Sequence, residues 1–246
     1  DGNIAYITMD RPEKLNAITP DMLKGLWNAF IDLRDNPDIW IGIITGIGRA
    51  FSVGHDLVEM SASSGDVPAS GGTDQLYLMQ QNITKPIIAA VNGLCLAQGG
   101  GLAMGADILV ASDNAQFGWP QTKRGLSSIS GPVILSRRIP YGKAMELLFT
   151  GEFLSAQEAL SIGLVNHVVP PSELMTKTKE IANSILNNAP IAVRGMKEAA
   201  LHSDDETLER RLNRATEIFE MVRNTEDAQE GLNAFREKRS PVWKGQ

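Results

Sequence analysis

Four short runs of uninterrupted apolar, mostly β-branched residues mark the first half of the chain: IAYITM at 4–9, IWIGIITG at 39–46, PIIAAVNG at 86–93 and DILVAS at 107–112. Hydrophobicity that is continuous, not alternating, predicts strands buried on both faces, as in a parallel or mixed sheet. Between the runs the spacing turns helical. In TPDMLKGLWNAFIDLRD, Met22, Leu23, Leu26, Phe30 and Leu33 recur on one face, and Thr19 followed by Pro20 is a helix start. Strands alternating with helices predict βαβ units with right-handed crossovers, and so an α/β fold.

From about Ser155 the pattern changes. SAQEALSIGLV opens with Ser155 and has Glu158 three residues on, the arrangement of a capping box. SELMTKTKEIANSILNN, PIAVRGMKEAALHS and DETLERRLNRATEIFEMVRN are amphipathic and begin at Pro, Ser or Asp, so the last third of the chain is expected to be mostly helical. SASSGDVPASGGTD at 61–74, rich in Ser, Gly and Pro, predicts a loop.

Composition narrows the function. The 246 residues carry a net charge of −6, which argues against a nucleic-acid surface. No apolar run approaches the roughly 18 residues of a membrane span. DGNIAYITMD shows neither the basic nor the apolar stretch of a secretory leader, and the single cysteine, Cys95, has no partner in the chain. Both point to a reducing, cytoplasmic setting. His55, His167 and His202 are far apart in sequence, so no metal site is expected.

The chemistry gathers in two glycine-containing turns. NGLCLAQGGGLAMGAD, 92–107, runs from a strand into a helix start, where unpaired N–H groups favour negative charge. It matches neither the dinucleotide fingerprint nor the Walker loop. GIGRAFSVGHDLVEM, 46–60, again leads from a strand through a turn toward a helix starting near Asp56. Two readings stay open at this level: the glycines serve only close helix–strand packing, or the two turns each aim one backbone N–H at a shared oxygen.

RPEKLNAI (11–18), GIGRAFSVGHDLVEM, KPIIAAVNGLCLAQGGGLAMGADILVAS, AQFGWPQTKRGL, AMELLFTGEFLSAQEALSIGLVNHVV and FREKRSPVWKG follow one another in an order and spacing that resemble the enoyl-CoA hydratase/isomerase (crotonase) superfamily over almost the whole chain. The resemblance implies a crotonase-like (ClpP/crotonase) spiral of ββα units over 1–190, with a helical region at 191–246 for trimerisation and for covering coenzyme A. It implies an acyl-CoA thioester as substrate, coenzyme A entering only as part of it, no tightly bound cofactor, no nucleic-acid or membrane partner, and a homotrimer or homohexamer. By position, the thioester oxygen would accept the N–H groups of His55 and Gln98, with Gly99 shaping the turn. Coenzyme A would lie against Lys14, Leu15, Ala17 and the turn His55, Asp56, Leu57 and Val58. Phe235 and Lys238 would cover the nucleotide, from the same or a neighbouring subunit.

The same register places the two catalytic glutamates of the family's hydratases at Gly101 and Gln121. Glycine has no side chain, and an amide exchanges no proton near neutral pH. His55 is the one histidine in a motif and a candidate acid–base group, while Glu59, Asp66 and Asp74 are weaker candidates beside or within the 61–74 loop. Asp107 and Glu152 read as turn residues, Trp119 as an acyl-pocket wall or a core tryptophan, and Gln98 with Gln121 as a pair able to orient a water. The expected activity is hydratase- or isomerase-like, through a thioester enolate. The rivals are an acyl-CoA binder without catalysis and a divergent enzyme of thioester hydrolysis, C–C cleavage or dehalogenation.

Overall fold

The computed structural model describes residues 1–56, 73–201 and 206–246. The four apolar runs form strands β1 (Ile4–Met9), β2 (Ile41–Gly46), β4 (Ile87–Val91) and β6 (Ile108–Ser112). With β9 (His167–Val169) they make a parallel sheet in the order β1-β2-β4-β6-β9. All five residues of β4 are buried, as continuous hydrophobicity requires of a central parallel strand.

A second, smaller sheet runs β3-β5-β7-β8, built from β3 (Ala50–Ser52), β5 (Leu94–Leu96), β7 (Gln116–Gly118) and β8 (Phe153–Ser155). The chain passes from one sheet to the other within a few residues, as β2 gives way to β3, β4 to β5 and β6 to β7. This is the ββα repeat expected from the resemblance. β3, β5 and β7 pair parallel, with Ala50 opposite Leu94 and Cys95 opposite Phe117, while β8 runs antiparallel. Parallel pairing brings the C-terminal ends of β3, β5 and β7 side by side, so the segments that follow them, bearing His55, Gln98 and Trp119, emerge at one place.

Helix α1 (Pro20–Asp35) starts where the Thr-Pro signal put it: the Thr19 hydroxyl oxygen accepts the Met22 N–H at 3.1 Å. Its Leu26, Phe30 and Leu33 face the core. α2 (Thr73–Asn82) begins inside the end of the stretch expected as a loop, because Leu76 and Met79 find burial there. α3 (Gln98–Met104) follows β5, and α4 (Tyr141–Thr150) follows a π-helical turn at Gly131–Leu135. α5 (Ala156–Ser161) carries the expected capping box of Ser155 and Glu158. α6 (Leu174–Leu186), α7 (Pro190–Ala200), α8 (Leu208–Arg223) and α9 (Glu226–Glu237) complete the helical third. Among the described residues no helix is long and apolar enough to cross a membrane.

Lys85, at the entrance to β4, is 4% exposed and donates through Nζ to the Asn36 carbonyl at 2.6 Å, tying the end of α1 to the sheet. Burial, helped by the charge of Arg194 and opposed by Asp35 and Asp32, pushes its pKa down to about 8 from 10.5. Between those values the unfolded chain binds the proton that the folded chain has released, so the contribution of Lys85 to stability rises with pH across that window. Lys85→Met removes the titration. In denaturant melts, wild type is expected to gain on the order of 1–3 kcal/mol relative to this variant from pH 8 to pH 10.5; parallel curves for the two proteins would contradict the assignment.

Candidate active site

The segment after β3 is held by a polar brace that starts at the first motif. Asn16 is fully buried at φ +54°; its Nδ2 donates to the carbonyls of Ile47 at 3.0 Å and Ala50 at 2.8 Å, and its Oδ1 accepts the Arg11 N–H at 2.8 Å. The Ser52 hydroxyl donates to the Asn16 carbonyl at 2.8 Å, and its oxygen accepts the Gly54 N–H at 3.2 Å. Arg11 reaches across the same turn to pair with Asp56 at 2.7 Å. These contacts fix the backbone on both sides of His55.

The direction of the His55 amide follows from an isolated parallel bridge between Ile18 and His55. Ile18 donates its N–H to the Gly54 carbonyl at 2.8 Å and accepts the Asp56 N–H at 3.1 Å. In a parallel bridge those are the neighbours' groups, so His55's own N–H and C=O point to the opposite side. That side faces the turn before α3. Gly54, at φ +89°, lies so close to it that a Cβ there would stand 3.0 Å from both the Gln98 nitrogen and the Ala97 Cβ. Only a residue without a side chain lets the two turns approach this far.

On the second turn, Ala97 sits at φ +52°, a left-handed backbone for a residue with a Cβ, and its N–H is tied to the Gly118 carbonyl at 2.8 Å. Non-glycine backbone in this region costs about 1–3 kcal/mol and concentrates at functional sites. The next residue, Gln98, opens α3, and its amide is among the first helical N–H groups, which have no partner within the helix. Gly99 packs so tightly under β3 that a Cβ would overlap the Ser52 carbonyl oxygen. The two amides therefore leave adjacent, braced turns, the arrangement of a two-donor hole for an oxygen that gains negative charge.

The space beside the two turns differs from what two carboxylates would make. Gly101 is buried in α3, and its missing Cβ would stand 3.1 Å from the Ser130 hydroxyl oxygen and 3.6 Å from Gln98 Nε2. Ser130 donates to Gln98 Oε1 at 3.0 Å, a buried pair filling the ground where a side chain at 101 would project. Gln121 lies in the 3-10 turn Pro120–Arg124, half-buried, and its buried Oε1 has no hydrogen-bond partner. Trp119 is 1% exposed and packs against Gly100 and Gly131, which makes it a core residue that also borders the Gly101 side of the site.

Of the groups expected to hold coenzyme A, Lys14 is exposed on the 3-10 turn Pro12–Lys14, Leu15 follows it at φ +54°, and Ala17 is buried. All three adjoin the Arg11–Asp56 pair. Leu57 and Val58, like Glu59, Asp66, His202 and the side chain of Asp74, fall outside what the structure describes. Phe235 is 84% exposed on α9, and Lys238 ends that helix at φ +53°; α9 packs on α8. Asp107 accepts the Ile87 N–H and pairs with Lys197 at 2.8 Å, and Glu152 pairs with Lys123 at 2.7 Å, both structural contacts. Burial raises the Cys95 thiol well above its ordinary range, which leaves it no thiolate near neutral pH.

The chain matches the enoyl-CoA hydratase/isomerase family over residues 1–246. It is 36% identical over 246 residues to the (E)-benzylidenesuccinyl-CoA hydratase of Thauera aromatica, covering 99% of this chain and 96% of that one. With the carnitinyl-CoA dehydratase of Salmonella enteritidis it shares 40% identity over 254 residues and the same coverage. The 1.8 Å crystal structure of an enoyl-CoA hydratase from Bacillus anthracis superposes with a TM-score of 0.95 at 34% identity, covering 100% of this chain and 97% of that one.

Proposed function

The chain belongs to the enoyl-CoA hydratase/isomerase family, and from that premise we propose that it is an enzyme of acyl-CoA thioesters working by hydratase-type chemistry. The thioester oxygen is received by the backbone N–H groups of His55 and Gln98. The observation that carries this reading is the Ile18–His55 bridge, which turns the His55 amide away from its own strand partner, with Gly54 pressed against the Gln98 nitrogen on that side. Hydration adds water across a carbon–carbon double bond conjugated to the thioester: hydroxyl joins the β-carbon, the electron pair moves onto the thioester oxygen as an enolate, and a proton then reaches the α-carbon. The two amides stabilise that enolate. Relatives named hydratase and dehydratase support this reaction type over isomerisation.

With glycine at 101 there is no side chain to move a proton, and the glutamine at 121 can orient water or substrate by hydrogen bonds but carries no proton. This favours a second reading, an acyl-CoA binder without turnover. Coenzyme A in this proposal lies along Lys14, Leu15, Ala17 and Asp56, and Phe235 and Lys238 of a neighbouring copy close over it. Such a cover fits an assembly of three or six chains built through 191–246, where Leu212, Phe219 and Phe235 are exposed.

Calorimetry with a panel of acyl-CoAs is expected to give micromolar binding, and light scattering a mass of three or six chains. Loss of conjugated thioester absorbance with a bound enoyl-CoA separates the enzyme from the idle binder. Absence of binding to every acyl-CoA in the panel would overturn the proposal.

A further inference from the structure

Helix α9 has little apolar contact of its own to hold it. Only Asp227 and Ala234 are buried, while Leu232 and Phe235 stand in solvent. Burial of its side chains therefore does little to place it, and the segment that follows, 239–246, holds it instead. Asp227 is 1% exposed, and its carboxylate accepts the N–H groups of Lys244 at 2.7 Å and Gly245 at 2.9 Å. Its own N–H donates to the Gln246 carbonyl at 3.0 Å. One turn on, Glu230 accepts the Val242 N–H at 2.8 Å and takes the Arg239 guanidinium through both carboxylate oxygens.

The segment is also fastened to the rest of the chain. The Trp243 ring lies against Gly231 of α9, and its Nε1 donates to the Asn187 carbonyl, just past α6, at 2.9 Å. Gly245 lies against Pro190, at the start of α7, and Trp40, beside β2. The segment is a strap, with α9 on one side and the sheet with its helices on the other. It also decides which cation is left over. Arg239 pairs with Glu230 and Glu237, whereas among the described residues nothing bonds the Lys238 side chain. Lys238 is held at φ +53°, a backbone that favours glycine, while the Arg239 N–H closes the helix end on the Ala234 carbonyl at 3.1 Å. An exposed aromatic ring at 235, one turn from a free ammonium at 238, suits the flat base and the phosphate of a nucleotide.

Resting on the acyl-CoA reading above, we propose that Asp227 and Glu230 are positioning residues for coenzyme A: through the strap they hold Phe235 and Lys238 where these close over the nucleotide. A helix fixed beforehand does not have to be ordered at each binding event, and the saving appears as affinity. Neither carboxylate touches the ligand, and neither takes part in the chemistry at the thioester.

The test is a double-mutant cycle on the full-length protein, read by calorimetry of butanoyl-CoA. Asp227→Ala is expected to weaken binding about tenfold, through the ordering that α9 must then undergo. Phe235→Ala together with Lys238→Ala is expected to weaken it at least as much. With all three changes the loss should match that of the last two alone, because a strap with nothing left to position has no further effect. Hydrogen exchange of the α9 amides should quicken in Asp227→Ala while that of β4 stays slow. If this variant does not fold, Glu230→Gln, which gives up the charge pair with Arg239, takes its place in the cycle. Losses that add, strap-variant binding equal to wild type, or unchanged exchange in α9 would each overturn the proposal. So would full binding without Phe235 and Lys238, which leaves the acyl-CoA reading standing; failure of wild type to bind either butanoyl-CoA or free coenzyme A overturns that reading as well.

Discussion

Gly54→Ala is expected to lower kcat/KM on any acyl-CoA substrate of this protein by about 10²–10³-fold, the loss typical of one oxyanion donor. The alanine methyl would stand 3.0 Å from the Gln98 nitrogen, on a backbone held at φ +89°. Relieving either conflict rotates the peptide that carries the His55 N–H or pushes the Gln98 turn away. The donors then no longer share an atom. Contacts expected to hold coenzyme A at Lys14 and Ala17 are untouched, so the loss falls mainly on kcat. Steady-state kinetics alongside a thermal melt separate this from unfolding; a folded variant with unchanged kcat would show that the hole does not work as described.

Restoring the two carboxylates is expected to act in the opposite direction. Gly101→Glu, combined with Ser130→Ala and Gln121→Glu, should raise hydration of crotonyl-CoA by about 10²–10⁴-fold over wild type, the range that a positioned acid–base pair contributes. The Ser130 change is needed because its hydroxyl oxygen lies 3.1 Å from the Cβ that a glutamate at 101 would add. Gln121→Glu places a carboxylate where a buried amide oxygen has no partner, an environment that raises a carboxyl pKa toward neutrality. The readout is the fall in conjugated thioester absorbance. Wild-type turnover equal to that of the triple variant would mean that proton transfer does not depend on these positions.

The large parallel sheet was legible because its inner strands are long enough for continuous hydrophobicity to stand out; IIAAV at Ile87–Val91 is an example. The second sheet was not. β3, β5 and β7 are three residues each, too short for any period, and they exist because each pairs with a neighbour far off in sequence. Those strands are what gather His55, Gln98 and Trp119 into one place. The two turns were readable as candidate donors, but the Ile18 bridge and the close approach at Gly54, on which the proposed convergence rests, leave no local trace. The loss of carboxylates at Gly101 and Gln121 was visible by position. What replaced them was not, since Ser130 is an ordinary serine in GLSSISG until folding sets it against Gln98. Asn16 and Arg11 lay inside a quoted motif, yet their part in bracing the His55 turn needed partners more than 30 residues away.

A crystal structure with a bound, unreactive acyl-CoA analogue tests the central claim most directly. The thioester oxygen is expected within about 2.7–3.1 Å of both the His55 and the Gln98 backbone nitrogens. An oxygen bonded to only one of them, or an acyl group seated elsewhere on the protein, would contradict the account.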